Sequence, residues 1–489
     1  MTSVSRVRHF LRHERFFGLF VAVVVGLVGV LLVSELQSPS KVAVVVLAAL
    51  GATWIAIDSE LGLFALVFLS YTHLSQVLIT HHGAPSTATP LTGLLLGLVG
   101  FGIATKRTSL GPIALAAVPL VGYGIAGLAT LLVATYPEAT IEGLRGYGND
   151  AVTALLVVAL LRTTRALRGT VWSLLAAGAL LGSISVHQEL TKSYEDTYWG
   201  FGLASVQNIV GSTNDYRVAG PLGDPNLYAL FLVPLLPLAL NRLDGEANKF
   251  LRLMALLTFV VVSLTVVFTY SRGGFLAMAA SMGIMLVRKP PRLRVLVLTI
   301  LVAIPVLSMV PAQYTARLRT LHEVLPFRGD EVGATKDSGF RGRLSEIQVG
   351  VLMFLEQPLL GVGLDNYPYL YQEYARRVGL DSRLAEREPH SRYLEIASEM
   401  GLVGLVAYGL VIASLFFSMR NAERRLSAAG GKDAAGMVRS LSVGLIAFLV
   451  GSFFLHEAFA RYFWVLAGIA LATRNVGSDS DALGGEAGG

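Results

Sequence analysis

Apolar runs long enough to cross a bilayer alternate with short basic loops along nearly the whole chain. They can be read at about 16–36, 41–57, 61–80, 90–104, 112–134, 149–161, 170–186, 226–240, 253–270, 274–287, 294–310, 397–419, 440–457 and 460–473. A perpendicular helix needs about 20 residues and several runs fall short of that, so the pattern predicts about 12–14 spans. The first run follows Arg6, Arg8, Arg12 and Arg15 as a signal peptide would. It has no small-residue cleavage site and more spans follow, so it reads as a retained signal anchor. One long polar interruption stands out, at 311–396. The expected organisation is a basic cytoplasmic N-terminus (1–15), a helical bundle (16–310), an external loop with amphipathic helices (311–396), C-terminal spans (397–474) and a disordered Gly/Asp/Ser tail (475–489).

Composition gives the same class. The 489 residues are 54% hydrophobic and only 15% charged, with a mean hydropathy of +0.62. A soluble chain would carry nearer a quarter charged residues. The expected fold is an all-α polytopic membrane protein. The chain has no cysteine, which removes disulfides, thiolate nucleophiles and cysteine metal sites. The pI near 9.4 raises nucleic acid as a partner, but the basic residues lie in short loops between spans, where membrane orientation explains them better.

If the N-terminus is cytoplasmic, one set of loops carries Lys106-Arg107, then Arg162, Arg165 and Arg168, then Arg242, Lys249 and Arg252. The same side carries Arg288, Lys289, Arg292 and Arg294, then Arg420, Arg424, Arg425, Lys432 and Arg439. With the N-terminal four and Arg474 these are 22 of the 39 Lys and Arg. The positive-inside rule then places both termini in the cytoplasm, which in a bacterium makes this a multi-pass protein of the inner (plasma) membrane. The long segments 135–148, 187–225 and 311–396 face outside.

Several motifs can be set aside. There is no Gly-x-x-x-x-Gly-Lys-Ser/Thr phosphate loop. Gly122, Gly124 and Gly127 have dinucleotide-fingerprint spacing but sit within a span, where small residues serve close helix packing. His456-Glu457 lacks the second histidine of a zinc protease helix.

Four external features remain, each with a structural reading beside the functional one. Arg272 lies in Ser271-Arg272-Gly273-Gly274, between two apolar runs. An arginine at such a boundary can snorkel to headgroups, or it can grip phosphate with two parallel hydrogen bonds while the glycines admit a ligand. Arg341-Gly-Arg343 precedes Leu344, Ile347, Val351, Leu352 and Leu355, which recur at helical spacing opposite Ser345, Glu346 and Gln348. That predicts an amphipathic helix on the outer membrane face, its arginines facing headgroups or a ligand. His390 precedes an apolar helix, with Glu395 and Glu399 one turn apart nearby. Such a histidine is a cap or surface residue in most proteins, yet its ordinary pKa suits it to take a proton from a sugar hydroxyl. Finally, Arg217-Val-Ala-Gly-Pro-Leu-Gly-Asp-Pro-Asn226 reads as a turn and helix start, with Arg217 a weaker ligand candidate. Tyr367, Tyr369, Tyr371, Tyr374 and Tyr393 suit either sugar stacking or interfacial anchoring.

The order Arg343, Pro358, Gly361, Gly363 and His390 resembles the C-terminal signature of the O-antigen ligase and O-antigen polymerase family. Ile347 stands where that family often has tryptophan, and His390-Ser-Arg-Tyr-Leu where it has His-Asn-x-Tyr-Leu. The resemblance implies a GT-C-like membrane glycosyltransferase, inverting and metal-independent, with no cofactor. It implies a polyprenyl (undecaprenyl) diphosphate-linked glycan as donor and a glycan, lipid or protein hydroxyl as acceptor. Arg272 and Arg343, with Arg341 and Arg217 beside them, would bind the diphosphate. His390 would be the base, and Tyr367, Tyr369 and Tyr393 would meet sugar. A polymerase or protein O-oligosaccharyltransferase would share this chemistry. A lipid-linked sugar flippase would instead place charges within its spans, and a structural cell-division protein would need no arginine–histidine set.

Overall fold

The computed structural model describes residues 51–207, 215–288, 338–379, 387–455 and 461–477. The apolar runs read at 16–36 and 294–310, most of 41–57, His456-Glu457 and the tail beyond 477 lie outside these residues. Helices dominate: α1 (Ser59–Thr72), α2 (Leu74–His82), α3 (Ala88–Ala104), α4 (Leu110–Ala129), α5 (Pro137–Leu160) and α6 (Thr164–Thr191) come first. A short antiparallel hairpin, β1 (Leu203–Gln207) and β2 (Asp215–Gly220), interrupts them. Then follow α7 (Pro225–Leu232), α8 (Leu235–Gly245), α9 (Lys249–Phe268), α10 (Arg272–Arg288), α11 (Ser338–Glu356), α12 (Tyr367–Val378), α13 (Arg392–Ala428), α14 (Lys432–Gly451) and α15 (Arg461–Ala472). Among the described residues six helices are long and apolar enough to cross a membrane, and the bent pair α1–α2 makes a seventh if it is one span. The chain is a polytopic helical membrane protein, as its hydropathy predicts.

The core runs through α7 and α8, buried almost throughout, with α6, α9, α14 and α15 around them. Small residues set the approach of α4 to α5. A Cβ on Gly124 would stand 3.1 Å from the Tyr147 ring, and one on Gly127 would stand 3.1 Å from Leu144. The packing reading of those two glycines is borne out. Gly122 meets nothing.

Among the described residues, the loops at 162–168, 242–252 and 420–439, read as basic and cytoplasmic, meet at one end of the bundle. Arg165 pairs with Asp58 at 3.5 Å and Glu60 at 3.4 Å, Arg168 with Glu246 at 2.6 Å, and buried Arg242 with Asp433 at 2.5 Å. Arg425 donates to the carbonyl of Val476 at 2.8 Å, and the Gly477 amide donates to that of Arg162 at 3.2 Å.

Two segments depart from the hydropathy reading. Residues 137–148, expected in an external loop, are the first half of α5, a 24-residue helix about 36 Å long at 1.5 Å per residue. Within α11 the apolar stripe faces outward: Ile347 is 46% exposed and Leu355 67%, while Ser345 and Glu346 are buried. The helix is there, but Ser345 and Glu346 pack inward beside buried Val349 and Met353 while Gln348 stays exposed.

Candidate functional site

At the other end of the bundle two motifs repair each other. α13 is broken at Gly401, whose φ of 61° and ψ of −155° suit only glycine. A break in a helix orphans carbonyls before it and amides after it. The Pro358–Gly363 segment supplies both partners. Val362 and Gly363 donate to the carbonyls of Ser398 (2.9 Å) and Glu399 (3.0 Å), while Leu402 and Val403 donate to those of Pro358 (2.8 Å) and Leu359 (3.1 Å). The backbones come so close that a Cβ on Gly401 would lie 2.4 Å from the Leu359 carbonyl, and one on Gly361 2.3 Å from that of Glu399. Gly401→Ala should therefore cost at least the about 1–3 kcal/mol of such backbone strain, read as a lower melting temperature of the detergent-solubilised protein. An unchanged melting temperature would contradict this role for the break.

This brace holds the loop that follows. Asn366 accepts the Tyr136 amide at 2.7 Å and donates to Thr140 at 2.9 Å, seating the loop on the α4–α5 corner. Asp365 still reaches solvent. Crowding by the chain, then the like charges of Glu395 and Glu388, push its carboxyl up to about 6 against the pull of Arg392.

His390 sits across from α11. Its Nδ1 lies 3.5 Å from the Glu346 carboxylate, and Arg387 reaches the other oxygen of that carboxylate at 2.5 Å. Glu346 is only 1% exposed, and His390 is about a third exposed. The backbone carbonyl of Glu346 accepts from the Tyr367 hydroxyl at 2.7 Å, which braces α11 against α12. Glu346 is the residue that sequence reading missed: in a helical wheel it is one polar position among several. Arg343 lies one turn before it on α11, but the side chains of Arg341 and Arg343 lie outside the described residues.

Arg272 opens α10 from a tight turn. Tyr270 adopts a left-handed φ of 52°, and the Ser271 hydroxyl accepts the Gly274 amide at 3.2 Å, capping the helix. The glycines after Arg272 serve helix packing: a Cβ on Gly274 would stand 2.5 Å from that of Ala229, and one on Gly273 3.2 Å from that of Phe454. Ligand approach, the reading made for them from sequence, is not what their surroundings show. Arg217 is 1% exposed. Its Nε donates to the Thr269 carbonyl at 2.7 Å and Nη2 to Asn226 at 2.9 Å. It ties β2 and the start of α7 to the turn that carries Arg272, so here it positions that turn from beneath. Asp224 caps α7 by accepting the amides of Asn226 and Leu227 at 2.7 and 3.0 Å, as the Asp-Pro-Asn motif predicts.

The tyrosines divide. Tyr367 and Tyr371 are fully buried, their hydroxyls bonded to the Glu346 carbonyl and Ser345 (3.0 Å). Tyr393 donates to the Leu449 carbonyl at 2.9 Å and stacks near Phe453. Tyr374 pairs with Glu356 at 2.9 Å. Of those named as sugar contacts, Tyr367 is buried in the packing of α11 against α12, while Tyr393 is half-buried with its hydroxyl on a carbonyl. Tyr369, 48% exposed, keeps an accessible ring.

Main-chain contacts join the His390 and Arg272 segments. The Arg392 amide donates to the carbonyls of Ser452 and Leu455, each at 3.0 Å, and Phe454 between them packs on Gly273. Residues 257–409, which include Arg272, Arg343, Pro358, Gly361, Gly363, His390 and Gly401, match a family model described as O-antigen ligase. No curated protein matches the chain.

Proposed function

We propose, from the match of residues 257–409 to the O-antigen ligase model, that the protein is a ligase-like glycosyltransferase of polysaccharide biosynthesis that transfers a glycan from polyprenyl diphosphate to an acceptor hydroxyl at the outer membrane–water interface. Arg272 and Arg343 hold the diphosphate, where charge grows as the glycosidic C–O bond breaks. His390 takes the proton of the acceptor hydroxyl as its oxygen attacks the anomeric carbon from the opposite face. Polyprenyl diphosphate leaves, and the configuration inverts.

The observation that carries this reading is the His390–Glu346 contact within the matched segment. A buried carboxylate 3.5 Å from Nδ1 stabilises the charge the ring gains on taking a proton, and Nε2 is the nitrogen assigned to the substrate. Arg387 on the same carboxylate orients Glu346. Glu346→Gln should keep the fold and lower turnover by roughly 10- to 100-fold, as loss of a supporting partner does elsewhere. Steady-state rates of the purified variant check this, and wild-type turnover would remove Glu346 from the mechanism.

In cells, loss of transfer should leave the donor uncleaved. A strain in which only His390→Ala is expressed should accumulate polyprenyl-diphosphate-linked glycan and lack the transferred product. A strain with normal product would refute the reading.

A further inference from the structure

The outer half of α5 carries a polar face where its neighbour carries an apolar one. Contacts of Gly124 with Tyr147 and of Gly127 with Leu144 set residues 144–147 of α5 alongside 124–127 of α4, within the candidate span Leu110–Leu132. At that depth α4 exposes Val121, Ile125 and Leu128, each more than half exposed, as a lipid-facing helix does. α5 exposes Glu138, Glu142, Arg145, Gly146 and Asn149, which share one helical face. Glu142 and Arg145 form an ion pair at 3.2 Å with side chains 76% and 72% exposed. At the foot of the stripe buried Asp150 accepts Arg461 Nε at 3.0 Å, and the Arg461 side chain is 46% exposed. A Cβ on Gly146 or Gly148 would meet nothing within 4 Å. Ionised groups at bilayer depth are costly in hydrocarbon and mark faces that meet water or a polar ligand.

We propose that this α5 face binds the saccharide of the acceptor. Carboxylates, an amide and a guanidinium, with open space at Gly146 beside them, supply acceptors and donors for sugar hydroxyls. Its position favours the acceptor over the donor. Gly143, beside the stripe, lies under the Asp365 carboxylate, so closely that a Cβ there would come within 2.3 Å of it. Asp365 follows Val362 and Gly363, which bond to Ser398 and Glu399 of α13, and Arg392 at the start of that helix, two residues after His390, donates to Tyr123 of α4 at 3.3 Å. The 388–392 loop also meets the Ser452–Leu455 turn and, through Phe454, the start of the Arg272 helix. Arg272 and α5 thus both reach the His390 loop through separate contacts, and the diphosphate is assigned to the first and the attacking saccharide to the second. This assignment rests on His390 being the base.

Because the chain has no cysteine, single cysteines report accessibility cleanly. Gly146→Cys, Asn149→Cys and, as a lipid-facing control, Ile125→Cys are labelled with a charged, membrane-impermeant maleimide in spheroplasts. Gly146→Cys and Asn149→Cys should label and Ile125→Cys should not. Two probes are then added to the solubilised Asn149→Cys protein: the lipid-free oligosaccharide fraction of the host envelope, and polyprenyl-diphosphate-linked glycan from the same membranes. The oligosaccharide should slow labelling at least 5-fold and the lipid-linked donor should not. Protection by the donor alone, protection by neither, or absence of labelling at both α5 positions would overturn the proposal. Protection by oligosaccharide in a protein that never transfers glycan would leave the saccharide site standing and remove the catalytic reading instead.

Discussion

His390→Ala is expected to lower glycan transfer by about 10²–10⁴-fold, the usual worth of general-base assistance, while the lipid-diphosphate donor still binds. The wild-type rate should fall on the acid side as the imidazole takes up a proton and can no longer accept one. The residual activity of the alanine variant should lose that limb. Asp365 titrates in the same region, since its carboxyl is pushed up to about 6, above the ordinary aspartate value near 3.9. The sign of its effect is opposite. A raised carboxyl favours the protonated folded state, so the stability it contributes is complete below about pH 4 and is lost as pH rises through about 6. Acidification from neutral pH therefore does not unfold the protein through this group. Asp365→Asn should keep the acid limb of activity and flatten this part of the stability profile. Initial rates and melting temperatures between pH 5 and 8 check both. An unchanged limb in His390→Ala would remove the base assignment.

Arg272→Ala and Arg343→Ala should each reduce transfer by roughly two orders of magnitude or more, as removal of a preorganised charge donor does in other enzymes. Membrane-inserted protein should be retained. For Arg272 the structure supplies a specific reason to expect a geometric requirement: the buried Arg217 guanidinium, the Tyr270 turn and the Ser271 cap set where α10 begins. A guanidinium presented in this way can form two parallel hydrogen bonds to phosphate, which an ammonium cannot. Arg272→Lys should recover a minor fraction of the rate, measured with the same donor. Full recovery would mean that general positive potential is sufficient. Arg217→Lys makes a useful comparison, because it should lower both stability and rate through the Thr269 turn.

The class of fold was legible because apolar runs and basic loops carry it residue by residue, and three of those loops meet at one end of the bundle. The extent of α5 was not. A hydropathy window reads Glu138, Glu142, Arg145 and Asn149 as a loop, whereas in the helix they share one face and leave the other to pack against α4. Arginine, histidine and glycine types marked the candidate site, yet their surroundings depend on partners far along the chain. Gly361 and Gly401 are explained by each other's backbone, 40 residues apart, and no local pattern states that pairing. Glu346 and His390 meet across 44 residues, so the carboxylate beside the histidine was invisible in a wheel of α11. Tyr367 and Arg217 were chosen for their side-chain chemistry and proved buried, which residue type alone does not reveal.

The central claim is bond transfer, and purified protein in liposomes tests it most directly. Polyprenyl-diphosphate-linked glycan is supplied with an acceptor fraction from the host envelope, and free polyprenyl diphosphate is counted against glycan newly attached. Transfer predicts one polyprenyl diphosphate released per glycan attached, with inverted anomeric configuration, and neither product from His390→Ala. Movement of intact lipid-linked glycan across the bilayer without release of polyprenyl diphosphate would contradict it and make the protein a transporter.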